Sequence, residues 1–246
     1  MQKIFEPRRT PQQYMLVAVS DADPDRRREA VARVAESKQH QSEWAIKGFV
    51  AIALLEDDAQ ARCVAVRALG LIRDPRAVDA LLKILNHERH PPEGIAPPSD
   101  LCRWDAAETL ASVCGEDYAA DRASDIRETF IARLESDRDR HVRIAAARGL
   151  ACFQDERGLE ALIAALRDED FAVVHQCEES LVALTGVTHG ADAFAWERWR
   201  EQNQAQPFAG AGHTPASRRK PYDTRLGKFA YDTRQVARWL FPGRKE

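Results

Sequence analysis

One passage occurs twice in this chain, and that duplication limits the fold more than any other feature. Val64 to Leu85 reads VAVRALGLIRDPRAVDALLKIL, and 81 residues later Ala145 to Leu166 reads AAARGLACFQDERGLEALIAAL. Arg67, Leu69, Asp74, Arg76, Ala80, Leu81 and Leu85 return as Arg148, Leu150, Asp155, Arg157, Ala161, Leu162 and Leu166. In the first half of each copy small or apolar residues fall at i, i+3, i+4 and i+7: Ala65, Ala68, Leu69, Ile72, then Ala146, Gly149, Leu150, Phe153. The second halves repeat the spacing as Val78, Leu81, Leu82, Leu85 and as Leu159, Leu162, Ile163, Leu166. That period puts one apolar stripe on each of two successive helices. A helix pair that cannot bury its stripe alone must stack on further pairs, so an all-α solenoid is predicted.

Val34, Leu69, Leu110, Leu150 and Leu181 mark the same position in successive first helices, at spacings of 35, 41, 40 and 31 residues. About five helical hairpins therefore fill residues 21–202, after an N-terminal extension over 1–20. Asp23, Asp58, Ser99, Asp139 and Asp170 stand where first helices should start, and Asp74 and Asp155 where second helices should, each with a side-chain oxygen suited to capping. Four residues beyond the first-helix caps come Arg27, Arg62, Arg103, Arg143 and finally Val174. A polar ladder between turns, built on i,i+4 pairs, is the expected role of these arginines.

On the Asp-x-x-x-Arg-x-x-Ala-x-x-Ala-Leu-Gly stretch from Asp58 to Gly70 and the Asp-Pro-Arg-Ala-Val start at Asp74, the chain resembles the HEAT-repeat family. It is closest to the short bacterial type related to phycobilisome-lyase-like repeats. The likeness spans residues 21–202 and implies a right-handed α-α superhelix with second helices on the concave side. LVALTGVTHGADAFAWERW looks like the closing segment of that group, with Trp196 and Trp199 as an aromatic cap over the end of the core.

Two enzyme families share this repeat. Deoxyhypusine hydroxylase-like proteins hold iron with His-Glu dyads six and five residues before the marker leucine. Arg28-Glu29, Cys63-Val64, Trp104-Asp105, Ile144-Ala145 and His175-Gln176 occupy those positions here, and none is such a dyad. A bilin-lyase-like activity rests on shared architecture alone, because no distinctive residue set for a tetrapyrrole is present. His87 and His90, with Glu88 and Glu93, sit in the proline-rich connector NHERHPPEGIAPPSD without a third His or a Cys to close a metal site. His141, His175 and His189 stand alone, and no phosphate loop or nucleophile elbow occurs. The reading is no catalytic residue, no cofactor and no metal.

Five cysteines (Cys63, Cys102, Cys114, Cys152, Cys177) lie within helical patterns and read as free buried thiols. With a polar start and no stretch near the ~20 apolar residues of a membrane span, a cytoplasmic location is expected. Charge is uneven. From Gln204 onward nine Lys/Arg oppose three Asp/Glu, so of the net −3 the preceding body carries −9. Residues 203–217 read as a flexible linker and 218–246 as a basic tail with a short amphipathic helix.

These features predict a non-enzymatic scaffold or adaptor that binds another protein, with no small-molecule substrate. Candidate contact residues are the outward positions of second helices (Arg76, Asp79, Lys83, Asn86, Arg157, Glu160, Arg167), followed by Arg234, Arg238 and Trp239 in the tail. A peripheral membrane adaptor acting through that tail is an alternative. Nucleic acid is disfavoured, because the acidic body repels phosphate.

Overall fold

The computed structural model describes residues 9–88, 97–213 and 215, and these form eleven α-helices with two short 3-10 turns. The helices are α1 (Pro11–Ser20), α2 (Pro24–Ala35), α3 (Glu43–Leu55), α4 (Ala59–Leu69), α5 (Pro75–Leu85), α6 (Asp100–Val113), α7 (Ala123–Ser136), α8 (Arg140–Leu150), α9 (Glu156–Ala164), α10 (Phe171–Thr185) and α11 (Ala193–Gln202). The 3-10 turns, Asp117–Arg122 and Ala165–Arg167, precede α7 and follow α9. No strand occurs among the described residues.

Even-numbered helices α2 to α10 pack side by side as one row, and odd-numbered α1 to α11 as a second. Each odd helix up to α9 also packs against the even helix that follows it. The result is an all-α solenoid whose apolar spine runs between the rows. Leu69, Leu81, Leu85, Leu110, Leu150 and Leu159 are fully buried in it, with Phe49, Phe130 and Trp196 as its largest side chains. Small residues let the rows approach. A Cβ at Gly149 of α8 would meet the Phe130 ring of α7, so that crossing requires glycine.

The capping oxygens act where the sequence places them. Asp23, Asp58, Ser99, Asp139 and Asp170 accept backbone N–H groups at the starts of the even helices, and Asp74 and Asp155 do so for α5 and α9. Each such cap contributes about 1 kcal/mol to its helix.

Two segments differ from expectation. The extension expected over 1–20 contains α1, which packs on α2 and α3 and buries Met15 and Ala18. It begins with a capping box in which Thr10 N–H donates to Gln13 Oε1 at 2.8 Å and Gln13 N–H to Thr10 Oγ1 at 3.3 Å. The linker expected over 203–217 is folded through its described part. Helix α10 ends at Gly186 in the left-handed conformation (φ 73°), and a Cβ there would strike the Gly210 carbonyl. Gly212 N–H donates to Ala183 O at 2.9 Å, and Phe208 packs against the core. Two glycines therefore bring the chain back onto α10. The amphipathic helix expected in 218–246 lies outside the described residues.

Candidate interaction surface

The arginine ladder joins layers, and its pairs are not i,i+4. Arg27 donates to both carboxylate oxygens of Glu56, at 3.0 and 2.7 Å, and Arg143 to both of Asp168, at 2.8 and 3.0 Å. Arg103 reaches Asp137 at 3.1 Å. Each acceptor stands two residues before the next cap and also receives that cap's N–H: Asp58 to Glu56, Asp139 to Asp137, Asp170 to Asp168. One carboxylate thus fixes a loop and ties it to the preceding layer. Two before Ser99 stands Pro97, which has no carboxylate, and Arg62 instead donates to Ala53 O at 2.8 Å.

The outward stripe of the odd row is also largely paired with itself. Arg76 grips Glu43 of α3 at 3.0 and 2.8 Å as well as Asp74. Asp79 receives Arg122 at 2.7 Å, and Asn86 donates to Thr129 of α7 at 2.8 Å. Arg157 pairs with Glu128, and Glu160 with Arg200 of α11. Arg167 pairs with Glu197 at 2.9 Å and lies over the Phe194 ring. Of the seven candidates only Lys83 forms no ion pair or hydrogen bond among the described residues. Arg234, Arg238 and Trp239 lie outside them.

The open part of the row is at α3. Ile46, Lys47, Val50, Ala51 and Leu54 of α3 face Arg76, Asp79, Ala80 and Lys83 of α5 across a mostly apolar groove of about 240 Å³. On the other flank of α3, Ala51, Ile52, Leu55 and Glu56 with Val19 of α1 line a second depression of about 210 Å³. Leu16, Val19 and Leu55 are exposed beside it. Sequence reasoning missed this face, although EWAIKGFVAIALL holds only Glu43 and Lys47 as charges and none after them.

The remaining chemistry-bearing groups are as follows. Cys114 and Cys152 are joined as a disulfide with Cα atoms 6.5 Å apart, correcting the expectation of five free thiols. Both lie near the C-terminal ends of their helices, in adjacent layers 38 residues apart, a pairing that linear spacing does not reveal. Cys63, Cys102 and Cys177 are free and buried. The Cys63 and Cys102 thiols hydrogen-bond each other, which with burial pushes Cys63 up, while burial pushes Cys177 up to about 12. His175 does not stand alone. With Glu178 and Glu179 it brings possible ligand atoms within 4.8 Å of one another, because i, i+3 and i+4 share a helix face. Thr188 Oγ1 already donates to Glu178 at 2.7 Å, and the His175 ring stacks on Phe171. In the connector, His87 is buried, and Glu88 pairs with Arg103 at 3.1 Å. His90 and Glu93 lie outside the described residues. Trp196, fully buried, donates its indole N–H to Gly190 O at 2.9 Å and meets Trp199 edge-on at 5.6 Å. No helix among the described residues is long and apolar enough to cross a membrane.

Two rows of helices stacked layer on layer, with a polar rung repeated at Arg27, Arg103 and Arg143, define an α-solenoid repeat protein. Residues 127–203 match the family of HEAT repeats, and residues 61–87 match the PBS lyase HEAT-like repeat. The chain therefore carries HEAT-type repeats over those two stretches. Among solved structures, the crystal structure of an engineered protein is similar in fold, with 24% identity and a TM-score of 0.56, covering 79% of this chain and 90% of that one. No curated protein matches the chain significantly.

Proposed function

We propose that this protein is a non-enzymatic scaffold that binds another protein through the odd-numbered row. The open apolar face of α3 carries the reading. Elsewhere the outward charged side chains of this row are mostly tied across layers by ion pairs, whereas Leu55 is exposed and Val50 and Ala51 are half-buried beside two grooves. Apolar patches bordered by polar residues are the usual mark of a protein contact on a soluble chain. HEAT repeats commonly serve as such surfaces, since a stacked row presents a long, shape-stable face without requiring any reactive group. The solenoid in this reading begins at Pro11 and ends with the turn that packs on α10.

Affinity capture with the full chain under native conditions, followed by reconstitution from purified components, tests the proposal. One protein bound stoichiometrically by the pure chain is the expected result. Recovery of no partner that rebinds when purified overturns it.

A further inference from the structure

The groove between α3 and α5 differs in charge from the body that contains it. Lys47, Arg76 and Lys83 line it against the single carboxylate of Asp79, while the body as a whole is strongly acidic. Asp79 is already engaged by Arg122, and Arg76 by Glu43 and Asp74. Lys47, 69% exposed, shares Glu43 with Arg76 at 3.1 Å. Lys83 is exposed and has no acidic partner among the described residues. With Glu43, Asp74 and Arg122 counted beside these groups, the rim keeps a net positive charge centred on Lys83, next to an apolar floor.

The floor has the repeat of a helix seat. Ile46, Val50 and Leu54 recur every fourth residue along α3, with Ala51 as a low point between the groove and the depression beside Val19 and Leu55. A helix of α3's 13 residues is about 20 Å long, enough for three to four turns of a guest helix lying alongside. We propose that this groove binds an amphipathic helix of the protein partner, one that carries carboxylates beside its apolar stripe. Leucine-like residues at i, i+4 and i+7 seat against Val50, Ala51 and Leu54, and flanking Asp or Glu side chains meet Lys47 and Lys83.

The same rim argues against two other occupants. The chain's own segment 218–246 is basic, with nine Lys/Arg against three acids, and would set cation against cation. A second copy pairing groove to groove would do likewise, because a two-fold contact repeats its own charges. The inference rests on the scaffold reading and goes further, in naming the site and the chemistry of the guest.

Anisotropy titrations of the full chain with synthetic 18-residue amphipathic helices test it, one flanked by Glu and one by Lys around the same leucines. The Glu peptide should bind at least about fivefold more tightly than the Lys peptide. Lys47→Glu with Lys83→Glu should reverse that order, and Ala51→Arg should weaken the Glu peptide about tenfold, with circular dichroism showing all variants helical. Equal binding of the two peptides, no binding of either at millimolar concentration, or indifference to Ala51→Arg overturns the inference. So does tighter binding by a peptide of residues 218–246. A purified partner that still binds the Ala51→Arg chain overturns this inference and leaves the scaffold reading intact, whereas absence of any partner overturns that reading itself.

Discussion

Asp137 is the carboxylate on which the middle of the solenoid depends most. Its side chain is 1% exposed and lies between Arg103 of α6 (3%) and Arg133 of α7, at 3.1 and 3.4 Å. It also accepts the Asp139 N–H at 3.0 Å, and its backbone carbonyl accepts from Arg143 at 2.9 Å. Asp137→Ala would leave two buried guanidiniums sharing carboxylates that are more than half exposed, Glu88 and Asp100. Breaking a buried pair from one side costs about 3–5 kcal/mol, because the desolvated partner loses its compensation. A rim pair such as Arg157 with Glu128 sets the comparison, since Glu128→Ala should cost no more than about 1 kcal/mol.

Urea unfolding followed by circular dichroism measures both losses, and hydrogen exchange at α6–α8 amides locates them. The Asp137→Ala loss should concentrate in those layers, because a solenoid is held by nearest-neighbour interfaces. Arg103→Met should cost less in the Asp137→Ala background than in the parent, as its charge there has already lost its partner. An Asp137→Ala loss no larger than that of Glu128→Ala would refute the assignment of this rung as the structural tie between layers.

The Arg76 guanidinium, and after it Lys47, draws the Glu43 carboxyl down from its ordinary 4.5 to about 2. A carboxyl lowered on folding stabilises the fold above its unfolded value, and that contribution fades as pH falls from about 4.5 through about 2. The stability difference between the parent and Glu43→Gln, measured by urea titration, should therefore shrink between pH 6 and pH 2, and a difference constant over that range would contradict the pairing. Gly149→Ala drives a methyl into the Phe130 ring and should cost about 1–3 kcal/mol in urea unfolding, with Phe130→Leu in the same chain recovering part of it. A neutral Gly149→Ala would mean that α7 and α8 do not cross there as closely as described.

Much of the solenoid was legible because its signals are local. An Asp or Ser cap is read from one residue and the helix that follows it, so all seven expected caps, six Asp and Ser99, could be placed from Asp23 to Asp170. The inward stripes at Leu69, Leu81, Leu150 and Leu162 depend only on a period of 3.6 residues, and all four are buried. Helix α1 escaped notice because PQQYMLVAVS has no duplicate elsewhere in the chain. Its signal was the Thr10-Pro11 start with Gln13 three residues after the cap.

The ladder shows where local reading fails. Arg27, Arg103 and Arg143 were visible at a fixed offset, but their acceptors Glu56, Asp137 and Asp168 lie 29, 34 and 25 residues further on, in the next layer. The written trace of those acceptors is an acid two positions before each aspartate cap of an even helix: Asp21 with Asp23, Glu56 with Asp58, Asp137 with Asp139, Asp168 with Asp170. The same distance hid the partners of Arg76 and Arg157, which made a set of internal ties look like a free mixed-charge surface. A charged residue on a repeat's outer face is thus weak evidence of a binding site, since the neighbouring repeat supplies the opposite charge at the same height. An apolar outer face is stronger evidence, because nothing inside the solenoid requires α3 to expose Leu55 and leave Val50 and Ala51 half-open to water.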